Sequence, residues 1–447
     1  MNLLTNGRVI TRDEGGKGYY EKGAVAYEGT KIVEVGEEAT LRAKYPQAEI
    51  IDAKGGVIMP AFINAHTHIY SALARGLSIV GNNPTNFYEG LDGTWWAMDR
   101  KLTLEGSRAS ADALYIDCIK QGVTTIFDHH AAYCEIPGSL FQIGESAKKF
   151  GIRSCLCYEV SDRDGEEKCL QAIKENADWI TYCEQQKDPM LAAMFGGHAL
   201  FTISDKTFDR MVEANNGRTG YHIHVSEGMN DVYDSLQNYG RRPVQRLHDH
   251  GILGDKTILG HCIHVNTAEM EIIKETGTMV VNNPESNMGN AIGICPVLQL
   301  HKRGILLGMG TDAYTNDMLE SLKVALCSQR SQNCLPNVGW CEVTDMLFKN
   351  NAKIGEKYFP DTLGVLKPGA AADIIVMDYK PFTPFSDENI DGHMIFGMTG
   401  RQCQTTIAAG KTLMLDRQLV GIDEEAENAH ILEAAKKLWG ELNHRTY

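Results

Sequence analysis

Eight short apolar, β-branched runs recur along the middle of this chain: Val57 to Asn64, Val123 to Asp128, Ile152 to Glu159, Met194 to His198, Gly220 to Val225, Thr257 to His261, Thr278 to Asn282 and Ile305 to Gly310. Helix-length amphipathic stretches separate most of them, for example Glu105 to Gln121, Pro243 to Gly251 and Thr267 to Glu275. Short apolar strands alternating with helices are the signature of βα repeats, in which parallel strands are covered by the helices that connect them. Between His66 and Asp312 the repeat averages about 35 residues, room for a strand, a loop, a helix and the return. The expectation is an α/β fold, a TIM-like (β/α)8 barrel over residues 57–365.

The ends have another texture. Met1 to Asp52 is Gly-rich with alternating strand-like stretches (Gly7 to Thr11, Ala24 to Tyr27, Lys31 to Val35), and similar stretches return at Asp373 to Asp378 and Cys403 to Met414. Residues 1–56 and 366–447 are therefore expected to form one small β-sandwich from both termini. Glu424 to Asn443 reads as a closing amphipathic helix with Ile431, Ala435, Leu438 and Leu442 on one face.

A formal charge of -15 without a Lys/Arg run excludes a phosphate-neutralising stripe, so nucleic acid is not an expected partner. No apolar stretch is long enough to span a membrane and the N-terminus lacks a signal-like pattern, which gives a cytoplasmic expectation. The twelve cysteines are scattered, consistent with buried thiols in a reducing compartment.

Four constellations carry chemistry. His66-Thr67-His68 follows the first apolar run; residues two apart on a strand face the same way, so both imidazoles project at the end where barrel enzymes work, half of a divalent-metal site. His222-Ile223-His224-Val225-Ser226-Glu227 ends the fifth run and offers another ligand with a carboxylate just beyond it. Parity puts His222 and His224 on one face, and spacing alone does not choose between them. His261 ends the sixth run, placed to orient a substrate oxygen or the attacking water, and Asp312 closes the eighth, able to hold a metal with one oxygen and take a proton with the other.

With these residues in order, PAFINAHTH, HVSE, HCIH, NNPESN and GMGTD resemble the amidohydrolase superfamily, in particular its guanine deaminase and triazine hydrolase-like branch. Asp128-His129-His130-Ala131, Thr94-Trp95-Trp96 through Asp99-Arg100, and Thr315-Asn316-Asp317-Met318 are similar to the SsnA-type aminohydrolases, a subgroup tied by name to selenium metabolism. The resemblance implies that His66, His68, His224 and Asp312 hold one divalent metal ion, Zn2+ ahead of Fe2+ or Mn2+. It also implies that Glu227 shuttles protons, that His261 touches water or a substrate carbonyl, and that the protein is a homodimer. A bridging lysine would sit on the fourth strand, but Met194 to Thr202 contains none and Lys206 lies too far along, hence one metal. His198-Ala199-Leu200-Phe201 stands where many relatives carry His-Ala-Pro-Tyr, leaving His198 as a substrate contact and specificity open.

The implied reaction is hydrolytic deamination of an aminated nitrogen heterocycle, a small purine-like molecule, with opening of a cyclic amide as the near alternative and a non-catalytic scaffold as the distant one. The Ile79 to Lys101 insertion after the first strand would lie over the barrel mouth, its Phe87, Tyr88, Trp95 and Trp96 stacking on a flat ring or anchoring the loop, with Arg75, Glu89 and Asp92 as polar contacts. Asn282 to Asn287 could bond the substrate or cap a helix.

Overall fold

The computed structural model describes residues 1–445. It contains all eight expected strands: Phe62–Thr67, Val123–His130, Arg153–Tyr158, a fourth interrupted at Met194 (Leu191–Ala193, then Phe195–Ala199), Tyr221–Val225, Ile258–His261, Met279–Asn282 and Leu307–Met309. Every residue in them is buried, which is why they read as unbroken apolar runs rather than alternating ones. Each pairs in parallel with its sequence neighbour.

The ladders form two parallel sheets, one from Phe62–Thr67 to Leu191–Ala193 and one from Phe195–Ala199 to Leu307–Met309, and do not close into a barrel. At one seam the amide of Met194 donates to the carbonyl of Leu156 at 3.1 Å, and an isolated parallel bridge joins Val160 to Gly197. At the other, the amides of Thr311 and Asp312 donate to the single carbonyl of His66 at 2.9 and 3.1 Å. Only glycine fits at Gly310, because a Cβ there would lie 2.7 Å from both the Cβ and the carbonyl oxygen of His66.

Helices follow the strands as their sequences dictate. Thr103 caps Leu104–Gln121, which ends at Gly122 in the left-handed region (φ 79°), and Asn266 with Glu269 forms a reciprocal capping box on Thr267–Glu275.

The termini depart from expectation in two ways. They contribute a single nine-stranded mixed sheet, Asn2–Ile10 pairing with Tyr19–Glu28, with Glu49–Asp52 and with Val57–Pro60, where a sandwich was expected. Asn2–Ile10 can serve three neighbours because its two halves, separated by irregularities at Gly7, take different parallel partners. Val57–Pro60, read as the start of the first barrel strand, belongs to this sheet and pairs with Ile374–Met377. Pro60 offers no amide, the Ala61 amide turns to the Asp373 carbonyl, and the central strand begins at Phe62.

The closing helix is Glu424–Asn443; Ala434 and Leu438 are buried, and the Trp439 indole donates to the Leu73 carbonyl at 2.8 Å, tying it to the segment after the first strand. All twelve cysteines are free, but Cys134, Cys327, Cys334 and Cys341 are exposed rather than core thiols. Among the described residues, no helix is long and apolar enough to cross a membrane.

Candidate active site

At the C-terminal ends of the central strands, His66, His68, His224 and Asp312 bring their ligand-type atoms within 4.8 Å of one another. Each imidazole is pinned from behind. His66 Nδ1 lies 2.7 Å from His222 Nε2, His68 Nδ1 2.6 Å from the His129 carbonyl, and His224 Nδ1 2.9 Å from the His198 carbonyl. All three Nε2 atoms therefore turn inward: those of His66 and His68 are each 2.9 Å from Asp312 Oδ1, and those of His68 and His224 are 3.2 Å apart.

A carbonyl can only accept, so His68 and His224 spend an Nδ1 proton on their anchors and turn their Nε2 atoms toward each other and toward a carboxylate. Electron-rich atoms at that separation call for a positive charge between them. Three anchored imidazoles and one carboxylate are the donor set of a divalent-metal centre with its supporting shell. The residues fit such an ion.

The same pull shows in the proton affinities. Burial opposes charge on His68, yet the Asp312 and Glu159 carboxylates raise its pKa to about 9. Burial lowers His66 to about 3 and His224 well below the usual range. Burial would raise Asp312, but His261, His68 and His66 hold it well below the ordinary carboxylate range.

Backbone strain concentrates here. Ser226, His261, Cys262, Asp312 and Ala313 all have φ between 47° and 68°, at the turns leaving the fifth, sixth and eighth strands. At Asp312 the turn points one carboxylate oxygen at the cluster and the other at the Ser286 hydroxyl, which donates to Oδ2 at 2.5 Å.

Glu227 sits across from Asp312, and His261 lies between them, its Nε2 3.7 Å from Glu227 Oε1 and 3.8 Å from Asp312 Oδ1. Burial pushes Glu227 up to about 7, which keeps a proton on it near neutrality. Asn287 Oδ1 accepts from His261 Nδ1 at 2.8 Å, so the Asn282 to Asn287 segment orients His261 and, through Ser286, Asp312.

Glu227 and Asp312 line a cleft walled by Tyr70, Phe87, Leu91, Trp95 and Trp96 from the segment after the first strand, with His198 opposite. Trp96 packs edge-on against His198 at 5.8 Å between ring centres, and its indole carries the Arg163 guanidinium on one face. Of the four aromatic residues expected over the mouth, Phe87, Trp95 and Trp96 line the cleft, while Tyr88 packs edge-on against Trp96 at 5.5 Å from outside the lining.

The expected polar contacts are not. Arg75 is three-quarters exposed and pairs with Asp117 at 2.8 Å, outside the cleft, so it is removed from the substrate-binding set. Glu89 accepts from the Thr85 amide and hydroxyl, holding its own turn, and Asp92 faces Arg100 at 3.7 Å on the surface. Long polar side chains on an exposed loop find local partners and solvent before they reach a cleft.

Two residues to which the sequence assigns no role lie at the site. Glu159, directly after the third strand, lines the cleft, and its Oε1 lies 2.9 Å from Nδ1 of His129, near the end of the second strand. Both occupy C-terminal strand ends, the position that singled out the other ligands. The apolar run ends at Asp128, whereas the strand carries on two residues further, to His130, and so takes in His129.

The sequence pattern of the Amidohydrolase family matches residues 57–413, and that of the bacterial imidazolonepropionase-like composite domain matches residues 23–48. The chain is 31% identical to a 5'-deoxyadenosine deaminase of Methanobrevibacter smithii, covering 94% of each, and 31% identical to a 5-methylthioadenosine/S-adenosylhomocysteine deaminase of Thermococcus sibiricus, covering 92% of this chain and 94% of the other. Among solved structures, an adenosine deaminase from Xanthomonas campestris with bound zinc superposes with a TM-score of 0.83 at 23% identity, covering 98% of both chains. The atrazine chlorohydrolase TrzN from Arthrobacter aurescens, complexed with zinc, does so with 0.80 at 24% identity, covering 97% of this chain and all of that one. Carried by the match over residues 57–413, the chain belongs to the amidohydrolase family.

Proposed function

We propose that this chain is a metal-dependent hydrolase of carbon–nitrogen bonds that removes ammonia from an aminated, purine-like heterocycle, and that its ion is a single zinc held by His66, His68, His224 and Asp312. The carrying observation is the convergence of three back-anchored Nε2 atoms on Asp312 beside a buried Glu227. Relatives at 31% identity named as deaminases of adenine nucleosides support the reaction class, and zinc in the structural neighbours supports the choice of ion. The two sheets are read as halves of one eight-stranded barrel, supported by the hydrogen bonds from Thr311 and Asp312 to His66.

A divalent cation, when bound, supplies Lewis acidity that makes a water molecule acidic enough to act as a nucleophile near neutral pH. The protein does the rest. Asp312, ionised and fixed by Ser286, takes a proton from the attacking water. Glu227, which keeps its proton to about pH 7, donates it to the ring nitrogen beside the carbon under attack, takes up the remaining hydroxyl proton as the product carbonyl forms and passes that one to the departing amine; the proton held on Asp312 then restores Glu227. His261, held by Asn287 between the two carboxyl groups, hydrogen-bonds the oxygen that becomes the product carbonyl. The aromatic wall excludes water and stacks on the flat ring.

Zinc-loaded protein assayed for ammonia against purines, pterins, pyrimidines and triazines tests this. Release of ammonia with an oxo product supports it; a ring-opened carboxylate without ammonia would replace it with cyclic amide hydrolysis.

A further inference from the structure

We propose that Glu159, with His198 beside it, reads the heterocycle itself and selects substrates that present a further N–H donor, a second amino group or a lactam N–H, close to the reacting carbon. The proposal rests on the aminohydrolase reading and narrows its substrate class. It also sets this chain apart from relatives named for adenine nucleosides, whose ring edge beyond the departing amine offers acceptors only.

The argument begins at His129. Its Nδ1 is 2.9 Å from Glu159 Oε1, and its Nε2 is 3.0 Å from the carbonyl oxygens of Gly197 and of His222. Every partner is an acceptor, so both ring nitrogens donate, and Glu159 is the carboxylate that receives one of those bonds. Its other oxygen, Oε2, lies 3.8 Å from His198 Nε2, too far for a hydrogen bond.

His198 faces that oxygen with a lone pair. The one hydroxyl hydrogen of Thr202 goes to the Ala199 carbonyl at 2.8 Å, so His198 Nδ1, 3.0 Å from Thr202 Oγ1, is the donor of that pair and Nε2 is left as an acceptor. Glu159 and His198 thus present two acceptors, 3.8 Å apart and both lining the cleft, a spacing that one NH2 group can bridge. A ring nitrogen bearing only a lone pair would be repelled there.

Depth decides what they touch. Oε1 of Glu159 lies 3.6 Å from Nδ1 of His68, a member of the metal-ligand cluster. A group resting on Glu159 is then within about one ring's breadth of the reacting carbon, which assigns the contact to the base rather than to a remote substituent.

The test compares 9-methyl-2,6-diaminopurine with 9-methyladenine as substrates of zinc-loaded wild type and of Glu159→Gln, and binding of 2-amino-9-methylpurine with that of 9-methylpurine by calorimetry. The expectation is a wild-type preference for the donor-bearing member of about tenfold or more in both kcat/KM and binding, collapsing toward unity in Glu159→Gln. Wild-type protein that binds both members equally or prefers the plain ring overturns the proposal without recourse to any variant, as does a preference that survives in a folded Glu159→Gln. If neither purine is hydrolysed, the purine part of the aminohydrolase reading is what fails, and the binding pair still decides the role of Glu159.

Discussion

His222 Nε2 lies 2.7 Å from His66 Nδ1, behind the ligand cluster and outside the cleft lining. For His66 to offer its Nε2 lone pair, its proton must sit on Nδ1, and His222 then accepts through Nε2 and carries its own proton on Nδ1. That Nδ1 is buried with no hydrogen-bond partner among the described residues. A buried unsatisfied group costs about 1–3 kcal/mol, which the orientation of His66 explains.

His222→Leu should therefore fold but hold its ion about 10- to 100-fold more weakly. Competition with a chelator of known affinity reads this directly. Unchanged affinity would show that His66 needs no orienting partner.

Glu227 yields a kinetic prediction. An acid must be protonated to work, and burial places this one at about 7, so kcat falls as pH rises through that value while Asp312 stays ionised throughout. Glu227→Gln should lower kcat by about a hundredfold to ten-thousandfold, abolish the alkaline limb and leave the bound ion in place. An alkaline limb that persists in the variant assigns that proton elsewhere.

Gly310→Ala probes the seam. The added methyl would meet His66 Cβ and its carbonyl at 2.7 Å, so either the eighth strand or His66 must move. The expected outcome is a destabilisation of about 1–3 kcal/mol, with metal affinity lost out of proportion. Thermal melting and metal titration on the same sample separate the two effects, and a variant with wild-type affinity contradicts the close approach.

Arg153 is fully buried on the third strand, pairing with Asp373, which directly precedes the interior strand Ile374–Met377 of the terminal sheet, and lying 3.3 Å from Asp361. Arg153→Leu leaves Asp373 buried without its cation and should cost about 3–5 kcal/mol. Chemical denaturation checks this; a change below about 1 kcal/mol would mean that the sheet and the strands are joined by apolar contacts alone.

How far the sequence reaches is clear from particular residues. The βα rhythm is legible because strands buried on both faces must be apolar throughout, and the helix Glu424–Asn443 lies where its pattern placed it. His66, His68, His224 and Asp312 could be found because strand parity and strand ends are one-dimensional signals. The division of Asn2–Ile10 among three partners is a long-range pairing choice, set by registers far apart in the chain. Arg75 was misjudged because a loop residue's partner, here Asp117, is fixed only by the fold. The tie between His129 and Glu159 joins neighbouring strand ends, invisible until the strands are laid side by side.

Metal content of the purified, zinc-reconstituted chain tests the central claim most directly. The account predicts one tightly held divalent ion per chain, lost in His68→Ala and in Asp312→Ala and retained in His198→Ala. Wild-type protein that binds no ion after reconstitution, or a folded Asp312→Ala that binds it undiminished, would contradict the account.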